Sequence, residues 1–166
     1  MNKPKIEVRL YRMRNRLMEK AGGIGATAEN SDFPVHILEE TEHLFQEMIS
    51  DYPDWVQDSL SKLSGYVEVC INFENKRIVT YKSINEIAHE MKGQGGTFGY
   101  PLVSTFGDSL YDFTGPNAGL SDNHVQIIKA HVDAMKATIN GRIQGDGGQI
   151  GQELKKMLSA AIRQYQ

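Results

Sequence analysis

"AHEMKGQGGTFGY", residues 88–100, places four glycines inside a stretch that otherwise has helical periodicity, directly behind a histidine and a lysine. A glycine inside a helix costs roughly 1 kcal/mol relative to alanine. Gly93, Gly95, Gly96 and Gly99 should therefore weaken this helix unless their missing side chains serve a purpose. On a 3.6-residue period Ile84, Ile87, Ala88, Met91, Gly95 and Phe98 share one side, which predicts a helix over about 76–98 with that side buried. His89 falls on the opposite side. Asn85, Lys92, Gly93, Gly96 and Tyr100 share its face, because positions three, four and seven apart are neighbours on a helix surface.

The same periodicity runs outward in both directions. Ile6, Leu10, Met13 and Leu17 predict an amphipathic helix over 4–20, ended by Gly22 and Gly23, and "GGIGATAENSD" has the composition of a linker. Pro34 suits a first helical turn. Leu38, Thr41, Phe45, Met48 and Ile49 then give one apolar side as far as "DYPD", where a break is expected. A further helix follows Asp54 with Val56, Leu60, Leu63 and Val67 as its stripe. "YVEVCINF", near its end, has strand-like composition but continues the helical pattern. Pro101 to Phe113 forms a short helix ended by "TGPNAG", and Ser121 is the expected N-cap of a long one bearing Val125, Ile128, Val132, Met135 and Ile139. After "QGDGG" the last helix would bury Ile150, Leu154, Met157, Ala161 and Ile162. No segment alternates with period two. The sequence thus predicts an all-α, antiparallel bundle of about five or six helices, with 1–32 as a basic helix plus linker and 33–166 as the bundle domain.

Composition narrows the function classes. A chain of 166 residues with ordinary apolar and charged fractions is large enough for one packed core. The N-terminal stretch is basic with no apolar run behind it, so no signal peptide and no membrane span are expected, and a cytoplasmic location is. Cys70 is the only cysteine and sits in an apolar segment, where a thiol is usually a small buried hydrophobe. The net charge of -3 conceals +5 over residues 1–20, -9 over residues 21–61 and +1 over the rest. A basic arm beside an acidic helix suggests that the arm docks there or mediates self-association through the N-terminal helix; nucleic-acid binding is not expected.

On the His89 face, glycines at 93 and 96 leave a depression through which a large partner can bring a reactive group to the ring. An exposed imidazole is largely neutral at cellular pH and keeps a ring nitrogen free as a nucleophile. Lys92, one turn away, offers a cation where a phosphoryl group would sit. Asn85 and Glu86 are candidates for orienting or polarising the ring. No base or metal-ligand set accompanies them, which suits receiving a group that another protein has activated.

The stretch resembles the signature of histidine-containing phosphotransfer domains: an Ala-His, then Lys and Gly at the third and fourth positions after the histidine, small residues in the next turn, and another Gly before an aromatic. His89, Lys92, Gly93, Gly96 and Gly99 match it, and the flanking helices resemble the family in outline over roughly 35–166, including the "GDGG" turn. The resemblance implies a four-helix bundle with additional N-terminal helices. It also implies that His89 accepts a phosphoryl group from the aspartyl phosphate of one receiver domain and passes it to the aspartate of another, in a bacterial-type two-component relay. The chain would be a stand-alone phosphoryl carrier rather than a turnover enzyme. It would hold no cofactor, since the receiver contributes the magnesium, and a hybrid histidine kinase is a further partner. The basic helix before residue 33 lies outside the family's common core.

Other readings fare worse. Glu40 to His43 and Glu86 to His89 both spell Glu-x-x-His, as in di-metal carboxylate bundles, but both pairs point away from their apolar stripes and the neighbouring helices supply no further glutamates. "HEMKG" lacks the second histidine of a zinc-protease motif, Gly93 standing in its place. "GQGGTFG" has Phe98 where a dinucleotide loop needs its third glycine. His36, His43, His124 and His131 read as solvated or core-edge residues, and Trp55, Tyr66 and Val69 as a second apolar edge. From another class stands a helical adaptor that binds a receiver or kinase without carrying a phosphoryl group.

Overall fold

The structure, a computed structural model, describes residues 35–165. The expected helix over 4–20, the linker and the boundary at residue 33 lie outside the described residues. Those residues form five α-helices and no strand: α1 (Val35–Asn72), α2 (Arg77–Thr97), α3 (Pro101–Phe113), α4 (Asp122–Asn140) and α5 (Gly148–Tyr165), with a 3-10 turn at Glu74–Lys76. The chain divides into two compact units, residues 1–46 and 47–166. Of the first unit only the opening turns of α1 are described.

The second unit holds the core. Val56, Leu60, Leu63 and Val67 of α1 are buried together with Ile84, Ala88 and Met91 of α2, Leu102, Val103, Phe106 and Leu110 of α3, and Val125, Ile128, Val132, Met135 and Ile139 of α4. Each set follows the helical spacing of its segment. Burying such a side chain contributes about 1.5–3 kcal/mol, which is what holds these helices in place. Cys70 lies within this core, and burial pushes its thiol pKa up, as expected of an inert packing residue. Arg77, 3 % exposed, fastens three elements: its guanidinium donates to the Cys70 carbonyl, to the Leu120 carbonyl and to the Asp122 carboxylate at the start of α4.

Three expectations are corrected. The break at "DYPD" does not occur: Pro53 lies inside α1. An interior proline costs about 3 kcal/mol, and here Tyr52, Pro53 and Val56 are all buried, which offsets it. Before Tyr52, the apolar side expected to be buried is instead exposed at Leu38, Phe45 and Met48. On α5 the buried positions are Gly151 and Leu158, while Ile150 and Met157, expected in the core, are exposed. "YVEVCINF" is helical as far as Asn72, as its periodicity implied.

Candidate functional site

The glycines of α2 serve opposite purposes. At Gly95 an added Cβ would lie 2.7 Å from the Ser104 backbone nitrogen, and at Gly107 of α3 it would lie 2.9 Å from the Lys92 nitrogen. These two glycines let the α2 and α3 backbones touch. At Gly93 a Cβ would meet nothing within 4 Å, and at Gly96 only Ser104 Oγ at 3.6 Å. Gly99 ends the helix in the left-handed region, φ 81°. Its N–H donates to the Gly96 carbonyl at 3.3 Å and the Tyr100 N–H to the Gly95 carbonyl at 2.7 Å, the paired bonds of a Schellman cap.

His89 is exposed on the face that Gly93 and Gly96 leave open. The close approach of α3 brings the Tyr111 ring beside it, centroids 5.5 Å apart. Lys92 Nζ lies 5.5 Å from the same Tyr111 ring and 2.5 Å from Asp108 Oδ1. The hydrogen bond that Lys92 donates to the Asp108 carboxylate is the largest cause raising the Lys92 pKa. Tyr111 and Asp108 were not legible in the sequence, since nothing in α3 read alone says which of its residues meets α2.

Asn85 and Tyr100 depart from their expected places. Asn85 is half-buried, and its amide donates to the Tyr111 carbonyl at 2.7 Å and to Thr114 Oγ1 at 3.0 Å, so it fastens the end of α3. Tyr100, expected on the outward face, is 1 % exposed and lies against Tyr52, ring centroids 5.6 Å apart. The left-handed Gly99 reverses the chain before it, so the helical wheel no longer applies. Tyr52 also stacks on Phe98 at 4.8 Å, and burial, with Tyr100 adding to it, raises its phenol to about 12. Glu86 remains exposed one turn before His89. It borders a groove of about 500 Å³ between α2 and the loop after α3, lined by Ile78, Tyr81, Pro116, Ala118 and Leu120 among others.

A second histidine has a different environment. His131, expected at the surface or core edge, is fully buried. Its Nδ1–H donates to the Ile127 carbonyl at 2.7 Å, which leaves Nε2 to accept from Ser109 Oγ at 2.8 Å. Burial is the main cause lowering its pKa. His124 Nε2–H donates to the Phe113 carbonyl at 2.7 Å. Both rings hold the core together.

Among the described residues no three His, Cys, Asp or Glu side chains gather closely enough to hold a metal ion, and no helix is long and apolar enough to cross a membrane. Compared with protein-family models, with curated proteins and with solved structures, the chain matches none.

Proposed function

We propose that this chain is a histidine phosphotransfer protein with an antiparallel four-helix bundle, relaying a phosphoryl group between receiver-domain aspartates. The observation that supports this most is the open ground around His89: an exposed imidazole beside two glycines whose missing side chains relieve no packing conflict. Glycine at such helix positions lowers stability without structural return, which is understandable if a partner must come close. In the reaction a His89 ring nitrogen attacks the phosphorus of an aspartyl phosphate. The new P–N bond forms as the P–O bond to the acyl group breaks and the receiver's carboxylate leaves. The proton on the other ring nitrogen then passes to water. Tyr111 forms one wall of the site, and Lys92 is one turn from the ring to meet phosphoryl charge. The apolar groove bordered by Glu86 suits the side of a receiver helix, and magnesium would come with the receiver.

The adaptor reading draws on one observation, the engagement of Lys92 by Asp108, which leaves its charge partly spent. The two readings part on one experiment. Phosphorylated receiver domains are incubated with the wild-type chain and with His89→Gln, and the product is tested for an acid-labile, base-stable label. Label on wild type alone supports the relay. Binding of receivers by both proteins, without label on either, would establish the adaptor instead.

A further inference from the structure

The pairing of Lys92 with Asp108 has a consequence that rests on the phosphotransfer reading. Lys92 is the cation expected to steady a phosphoryl group on His89, yet its Nζ lies 2.5 Å from Asp108 Oδ1, across the junction with α3. Asp108 is held in place because Gly107, its neighbour, lies against the α2 backbone at Lys92. Lys92, by contrast, has a long flexible stem. The pair is half-exposed, and solvent screens such pairs so that they add little to stability, so another anion within reach can exchange with it. The other charged and titratable groups around this face are Lys82, Glu86 and Glu90 on α2 and Tyr111 and Asp112 on α3. On α1, Lys62, paired with Asp58, is within electrostatic reach of Glu90. Carboxylates thus outnumber cations where a dianionic phosphoryl group would be added.

We infer that Asp108 is a positioning residue that holds Lys92 while His89 is unmodified and competes with the phosphoryl group for it afterwards. The phosphohistidine is then held less tightly than an unpaired lysine would hold it. The carrier gives up its load more readily for that reason. Asp108 does not touch the transferred group and acts only through Lys92. Consistent with this, its hydrogen bond is the leading cause of the raised Lys92 pKa, ahead of its longer-range field and that of Asp112.

The test needs no receiver. The full chain is treated with phosphoramidate, which transfers its phosphoryl group to an imidazole nitrogen as its own P–N bond breaks and ammonia leaves. The phosphorus resonance absent from His89→Gln identifies phospho-His89, and its chemical shift is followed against pH. A nearby cation favours the dianion and lowers the midpoint of that titration. Asp108→Asn should lower it by about half a pH unit. In a Lys92→Gln background the lowering should shrink to that produced by Asp112→Asn, a carboxylate one turn along α3, and Asp108→Glu should restore the wild-type midpoint. Equal shifts with and without Lys92, or no shift, would overturn the inference. Failure of His89 to take the label would overturn both it and the reading beneath it. Failure of receivers to transfer, with the Lys92-dependent shift present, would overturn the relay alone.

Discussion

Gly93 and Gly95 are two residues apart on one helix and do unrelated things. Gly95 faces the α3 backbone at a distance that no Cβ could occupy, whereas Gly93 faces open space. The first is required by the fold. The second is not, and it lies four residues after His89 on the face where that ring is exposed. The two histidines repeat the contrast: His131 has both ring nitrogens bonded within the core, while His89 presents its ring at the surface beside Tyr111. Side chains that are missing, or present, for no packing reason are the ones that point to a partner.

The contrast can be broken by substitution. Within this contrast the largest effect is expected at Gly95→Ala, because the new methyl would lie 2.7 Å from the Ser104 backbone nitrogen and 2.8 Å from the Tyr100 carbonyl oxygen and neither can move aside: a loss of about 3 kcal/mol in denaturant unfolding. A loss under about 1 kcal/mol would mean that the two helices separate easily. Gly99→Ala forces a side chain into the left-handed region and should cost about 1–2 kcal/mol, although nothing lies within 4 Å of the added atom. For His131, burial holds the folded-state pKa below the ordinary 6.5, so the unfolded chain binds the extra proton first. The stability His131 contributes is therefore complete above about pH 6.5 and lost as pH falls, by up to about 1.4 kcal/mol per pH unit for one proton. The slope of stability against pH between 7 and 5 should flatten in His131→Gln. The smallest effect has the opposite sign: Gly93→Ala should gain about 1 kcal/mol, since only helix propensity changes. If Gly93→Ala lost stability, the open face would have a structural role after all.

Much of this was legible in the sequence. The stripes from Val56 to Val67 and from Val125 to Ile139 proved buried because apolar residues at helical spacing have one low-energy disposition. Ser121 caps α4 as its residue type implied, accepting from the His124 N–H at 3.2 Å. The placing of His89 opposite Ala88 and Met91 followed from the same wheel. What could not be read depended on contacts distant along the chain. Which residues of α3 meet α2 is fixed by two glycines in different helices, so Asp108 and Tyr111 emerged only from the packing. On α5 the apolar stripe is wide enough to be buried along either edge, and Gly151 rather than Ile150 is the buried position. The proline in α1 was a local signal outweighed by the burial around it.

The aromatic cluster at the end of α2 gives this molecule a built-in optical readout. The chain contains a single tryptophan, and Trp55 stands edge-on to Phe98, centroids 6.0 Å apart, with half of its own surface in water. Phe98 closes the helix that bears His89. A partner that settles near this end, or a fraying of the last turn, alters the surroundings of one indole and so its emission, and the event can be followed in real time on the unlabelled protein.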